Sequence, residues 1–222
     1  MKNLTFLSHE FDVNTPGYGG SVAFERSPLS SFQTGQSSQS EKWSFKNHSG
    51  THMDFPLHFF AEGQSLSSYE AHHFHFKKAA LIDAAFDENQ IIRSQDLITL
   101  CLSTDPSTEM LLFRTGFEKR RSEEVYWKNN PGFHPETADY LREKFPNLRA
   151  IGFDFISLTA YQQRELGREA HRQFLNPKMP IWIIEDMKLA HCQMKEFEVL
   201  IAPFPVANAD GTPVGIYAFA RS

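Results

Sequence analysis

Asn47-His48-Ser49-Gly50-Thr51-His52-Met53-Asp54-Phe55-Pro56-Leu57-His58-Phe59-Phe60 is the stretch richest in chemistry. His48, His52, Asp54 and His58 all fall at even positions. In an extended chain residues two apart share a face, so the four point one way. A helix would align His48 with His52 but swing Asp54 and His58 round the axis. Gly50 and Pro56 also oppose a helix. The extended form is expected, with Met53, Phe55, Leu57 and Phe59 on its apolar side.

Three imidazoles and a carboxylate on one face fill a core expensively, at about 1–3 kcal/mol for each group left unpaired. A divalent cation removes that cost, since neutral imidazole and carboxylate bind it at about 2.0–2.2 Å. Gly50 lets the backbone approach an ion closely, and Pro56 stiffens the exit. The competing explanations are a surface strand with chance histidines, or a core histidine pair bonded to Asp54. Asp54 and His58, in phase with His48-x-x-x-His52, favour the metal.

Outward from this segment, short apolar runs bounded by breakers predict strands at 43–45, 79–82, Met110–Arg114, 150–155 and 180–184. Two later runs, 199–204 and 215–220, alternate like strands around a turn at Asn208-Ala209-Asp210-Gly211. Helices are expected at Glu136–Lys144, opened by His134-Pro135, and at 163–175, closed by Asn176-Pro177. The stretch 96–101 fits either state. The Ser- and Gln-rich stretch 27–40 reads as a surface loop or mobile flap. With no repeat and no shift of composition, one mixed α/β (α+β) domain over 1–222 is expected.

The 222 residues hold 22 Lys and Arg against 27 Asp and Glu, a net charge of −5. No basic run exceeds Lys119-Arg120-Arg121, so nucleic acid is not an expected partner. These three are expected in a solvated loop, one arginine being available to a substrate carboxylate. Cys101 and Cys192 build neither a disulfide framework nor a four-thiolate site, and fit a reducing compartment. The opening turns polar at Ser8-His9-Glu10, and no apolar run approaches a membrane span of roughly 18 residues. A cytoplasmic protein with no membrane partner is expected.

Residues 48–59 match every fixed position of His-x-Gly-Thr-His-x-Asp-x-Pro-x-His-Phe. In this the chain resembles the cyclase family, which includes bacterial kynurenine formamidases and isatin hydrolases. Leu7-Ser8-His9, Thr15-Pro16-Gly17-Tyr18, Phe113-Arg114-Thr115-Gly116-Phe117, Gly152-Phe153-Asp154 and 208–214 extend the likeness weakly. The resemblance implies a mixed, barrel-like sheet flanked by helices. It places His48, His52 and Asp54 on a first metal, with Asp54 and Glu185 bridging to a second that His171 completes. His58 then stays unligated as general acid/base. Glu185 stands out independently, as a carboxylate ending the apolar run 180–184, whereas His171 alone reads as an exposed helix residue.

The implied cofactor is zinc, with manganese the alternative, as one or two ions per subunit; imidazole and carboxylate suit both. The implied activity is hydrolysis of a small amide, formamide or lactam by a homodimer or homotetramer. The 21 phenylalanines, several beside the signature, favour an aromatic-lined pocket. One alternative is a lyase, dehydratase or cyclase using the same site; another is a non-catalytic metal- or ligand-binding protein on this fold. Formamidases open with a Trp-Pro-Gly-Asp-like run, but here Thr15-Pro16-Gly17-Tyr18-Gly19-Gly20 lacks the acid, which argues against formylkynurenine. His72, His73 and His75 form an accessory metal site or a solvated strand edge. No Gly-x-Ser-x-Gly nucleophile motif occurs.

Overall fold

Residues 4–220 are described by a computed structural model in which the main sheet closes on itself. In chain order its strands are β1 (Leu4–Phe6), β2 (Phe24–Ser30), β3 (Ser40–Phe45), β4 (His52–Asp54), β5 (His75–Asp83) and β6 (Ile91–Ile92). They continue as β7 (Met110–Arg114), β8 (Gly132–Phe133), β9 (Ala150–Phe153), β10 (Trp182–Glu185), β11 (Glu196–Pro203) and β12 (Gly211–Phe219). The α-helices are α1 (Ser94–Leu100), α2 (Val125–Lys128), α3 (Glu136–Lys144) and α4 (Arg164–Phe174).

Pairing runs β12-β11-β5-β7-β9-β10-β4 and returns from β4 to β12, with β1 added along the end of β12. From β5 through β7 and β9 to β10 the neighbours are parallel; the other pairs of the ring are antiparallel. Parallel neighbours need long crossovers. The segments holding α1, then α2 and α3, then α4 supply them. This is the mixed, barrel-like sheet flanked by helices that the resemblance implies.

Side chains alternate across the ring with the period of two that a strand imposes. Met110, Leu112, Ala150, Trp182 and Ile184 join Met53, Val199 and Ile216 in one buried cluster. Leu111, Phe113, Ile151, Phe153 and Ile183 join Leu97, Leu141 and Phe174 from the helices in another. Strands covered on both faces read as unbroken apolar runs, which is why β7 and β9 were legible.

The ambiguous stretch 96–101 falls largely in α1, where Asp96 Oδ2 accepts from Arg93 N at 2.7 Å and satisfies an end donor. The stretch 27–40 is not simply a loop but part of an exposed hairpin. Its ends belong to β2 and β3, paired antiparallel, with a tight turn at Phe32–Thr34 between them. Arg26 ties the hairpin through two-pronged contacts to Glu41 at 2.6–3.0 Å. Both strands are largely exposed, so no buried face imposed an apolar alternation. Among the described residues no helix is long and apolar enough to cross a membrane.

Asp154, just past β9, is fully buried and secures the turn after β7. It accepts from Thr115 N at 2.9 Å, Thr115 Oγ1 at 2.5 Å and Gly116 N at 2.7 Å. Asp154→Ala leaves these donors unpaired and is expected to cost about 2–4 kcal/mol. Urea unfolding measures it; a loss below about 1 kcal/mol would mean that water replaces the carboxylate cheaply.

Candidate metal centre

β4 lies between β10 and β12, and its register builds the site. His52 faces Glu185 of β10 and Pro213 of β12, while Asp54 faces Ile183 and Gly211. His52 and Asp54, two apart, share one side of the strand. α4, the crossover between β9 and β10, adds His171, which is buried rather than on an exposed helix face.

His48 and His58 arrive by another route. Gly50 has φ of +62°, a conformation that favours glycine, so the chain turns between His48 and β4. Pro56–His58 forms a single 3-10 turn. Of the extended form expected across 48–58, only His52–Asp54 is paired as a strand, and the outer histidines converge through turns. Gly211 leaves room for them: a Cβ there would lie 2.2 Å from His48 Cε1. Gly211→Ala must displace that imidazole, and overpacking of this kind costs about 1–3 kcal/mol. We expect metal retention in a chelator competition to fall at least about tenfold. Unchanged retention would show that His48 can move without consequence.

His52 and His171 each face both inner carboxylates. His52 Nε2 is 3.5 Å from both Asp54 Oδ1 and Glu185 Oε2. His171 Nε2 is 3.5 Å from Glu185 Oε1 and 3.8 Å from Asp54 Oδ2. These gaps are long for hydrogen bonds. Two donors about 2.1 Å from one tetrahedral ion stand about 3.4 Å apart. Each of these imidazoles also donates its other nitrogen to a backbone carbonyl, His52 Nδ1 to Gly50 O at 2.9 Å and His171 Nδ1 to Gly167 O at 2.8 Å. In the neutral imidazole that leaves Nε2 as the lone-pair atom turned toward the carboxylates, as in metal-binding histidines. Glu185 is steadied by Leu158 N, which donates to its Oε1 at 2.7 Å. The donor set fits a divalent cation.

A second cluster adjoins it. His48 Nδ1 lies 2.8 Å from Asp54 Oδ1, and its Nε2 lies 2.9 Å from Asp210 Oδ2. The same Asp210 oxygen is 2.9 Å from His58 Nδ1, and the two imidazoles stack with centroids 3.8 Å apart. Burial pushes the His48 pKa down, but Asp54 and Asp210 outweigh it and raise it to about 10. Hydrogen bonds from His48 and His58 hold the Asp210 carboxyl far below the usual carboxylate range. Burial works against the Asp54 anion, yet neighbouring His48 keeps it ionised. His52, Asp54 and Glu185 form one group of three close donors among the described residues; His48, Asp54 and His58 form the other.

Asp210 is the residue that sequence reasoning missed, because it reads as part of a turn. The usable signal was its place beside Gly211, in a chain whose clustered histidines need a counter-charge. Other candidates fall elsewhere. His75 Nε2 pairs with Glu198 at 2.9 Å, and His72 and His73 stay beside exposed Glu70. None belongs to a three-donor group among the described residues. Nor is the 119–121 arginine pair available to substrate. Arg120 pairs with Glu88 and Glu123, and Arg121 clamps buried Asp186 at 2.7–3.1 Å, because that carboxylate needs a counter-charge.

His48, His52, Asp54, His58, His171 and Glu185 all line one pocket. The sequence family described as "Putative cyclase" matches residues 5–160. The chain belongs to the cyclase family. Like the matched span, the cyclase signature ends before His171 and Glu185. A kynurenine formamidase of Bacillus cereus (strain ATCC 10987 / NRS 248) is 31% identical over 167 residues, 75% of this chain and 73% of its own. Another, from Bacillus cereus strain ATCC 14579, is 27% identical over 208 residues, 94% of this chain and 93% of its own. Among solved structures, isatin hydrolase A from Labrenzia aggregata bound to benzyl benzoate superimposes with a TM-score of 0.82 at 20% identity, covering 99% of this cyclase-family chain and 94% of that one. A potential metal-dependent hydrolase with cyclase activity gives 0.79 at 18% identity, with both chains fully covered.

Proposed function

We propose that this cyclase-family protein hydrolyses a small amide, formamide or lactam, with His48, His52, Asp54, His171 and Glu185 as metal ligands and His58 as general acid/base. In the coarser description it is a metal-dependent amide hydrolase. The observation that carries the finer reading is the placement of two buried imidazole Nε2 atoms, each within 3.5–3.8 Å of two carboxylates.

When bound, a divalent ion supplies Lewis acidity to a carbonyl and activates water near neutral pH. The protein does the remainder. Asp210 accepts from His58 Nδ1, so in the neutral imidazole Nε2 is the lone-pair nitrogen, and among the described residues it has no hydrogen-bond partner. His58 takes a proton from the attacking water as the C–O bond forms, then delivers it to nitrogen as the C–N bond breaks. A carboxylic acid and an amine result, or one amino acid from a lactam. Phe59, its ring stacked on His171 at 4.9 Å, supplies an apolar wall beside the donors.

Zinc suits a tetrahedral histidine–carboxylate set, with manganese as the alternative, as one or two ions per subunit. We further propose one hydrolase domain over 1–222, a homodimer or homotetramer, and a cytoplasmic location, the last supported by two free, buried cysteines. Elemental mass spectrometry followed by an amide panel in 18O-water tests the function. Near-stoichiometric zinc or manganese with label in the acid product is expected. Turnover without label would point instead to a lyase or cyclase; metal without turnover would leave a binding protein.

A further inference from the structure

Away from the donors, the same pocket has an end of opposite character, lined by Tyr18, Tyr161, Arg164 and Arg168. Arg164, Arg168 and His171 are spaced four and three residues apart on α4, which puts them along one helical face. At 1.5 Å per residue, Arg168 stands about 4.5 Å and Arg164 about 10 Å from His171 along the axis. α4 is therefore a wall that leads from the metal donors to two cations.

Those cations are poorly neutralised. Arg164 lies over the Tyr161 ring at 4.2 Å and forms no ion pair among the described residues. Among the described residues Arg168 has one ion-pair partner, Glu165, at 3.1 Å on the exposed surface. The acids lining the pocket are Asp54, Glu185 and Asp186, all carried by β4 or the end of β10, and Asp186 is already held by Arg121.

Tyr18 supplies the second observation. Its hydroxyl is buried without a hydrogen-bond partner, and its ring packs edge-on against Tyr161 at 5.4 Å. Burial pushes the phenol up to about 12, only partly offset by nearby Arg164, so it remains a neutral donor. A buried donor left unpaired is costly, and an acceptor arriving with substrate would satisfy it. A planar carboxylate matches both the guanidinium fork and the phenol.

We infer that Tyr18, Arg164 and Arg168 form a carboxylate subsite, and that the substrate is an amide bearing a carboxylate about 5–10 Å from the scissile carbonyl. This rests on the hydrolase reading for the reaction, though not for binding. Two measurements on the metal-loaded protein separate them. The first compares hydrolysis of formanilide with that of 3- and 4-formamidobenzoate. The better carboxylated substrate should show at least about tenfold higher kcat/KM, and Arg164→Gln should bring the ratio near one, chiefly through KM. Tyr18→Phe should lower the ratio about three- to tenfold.

The second measurement needs no turnover. Calorimetry compares 3- and 4-aminobenzoate with aniline, and the better anion should bind at least about tenfold more tightly to wild type but not to Arg164→Gln. If no formanilide is cleaved, the hydrolase reading fails and the binding result still decides the subsite. Equal binding of anion and aniline by wild type overturns the subsite. So does an anion preference that survives Arg164→Gln, because the carboxylate is then held elsewhere.

Discussion

Asp54→Ala is expected to purify without its metal and to lose activity at least about a thousandfold. Asp54 is the only residue in both three-donor groups. Its Oδ1 is 2.8 Å from His48 and 3.5 Å from His52, and its Oδ2 is 3.8 Å from His171. Truncation therefore removes the shared donor and leaves His48 with Asp210 as its remaining carboxylate partner. Loss of the Asp54 contact to a largely buried imidazole should lower stability alongside the metal loss. Asp54→Asn keeps the volume and one acceptor, and separates the two effects: it should fold better yet still bind metal poorly. Full metal occupancy in either variant would overturn the ligand assignment.

The same pair gives a pH dependence of known sign. In the metal-free site the His48 pKa is raised from 6.5 to about 10. Its contribution to apoprotein stability is therefore complete below pH 6.5 and lost as pH rises through about 10. A metal on His48 must first displace that proton. Apparent metal affinity should thus climb with pH through this window, by up to about tenfold per unit for one proton. Affinity independent of pH would remove His48 from the ligand set.

What the sequence disclosed follows from where burial imposes a pattern. β7 and α3 were readable to the residue, since β7 is an apolar run closed by Arg114 and α3 is framed by His134-Pro135 and Phe145-Pro146. The β2–β3 hairpin was hidden because neither strand buries a continuous face. Within the site, even spacing correctly put His52 and Asp54 on one face, but β4 is only three residues long. His48 and His58 reach Asp54 and Asp210 through a left-handed glycine and a proline-led turn, which no strand periodicity encodes. Asp210 was out of reach for a related reason. It lies 152 residues from His58 in sequence, and only the β4–β12 register makes them neighbours.

His58→Ala should keep its metal and lose kcat about 10²–10⁴-fold, with KM little changed. The imidazole sits outside the His52–Asp54–Glu185 group, stacked on His48 and tethered through Nδ1 to Asp210. Exogenous imidazole should restore part of the rate, which a packing defect would not allow. Asp210→Asn tests the tether. Its amide can accept from Nδ1–H, but it carries no charge, and a flip of its NH2 would favour the wrong tautomer. A loss of about 10–100-fold in kcat, smaller than that of His58→Ala, is expected. Loss of metal from His58→Ala would instead place His58 beside His48 and Asp54 as a third ligand, since their donor atoms already lie within 4.8 Å of one another. Turnover within about threefold of wild type in both variants would take the proton transfer away from this pair, because a general acid/base that contributes at all contributes more than that.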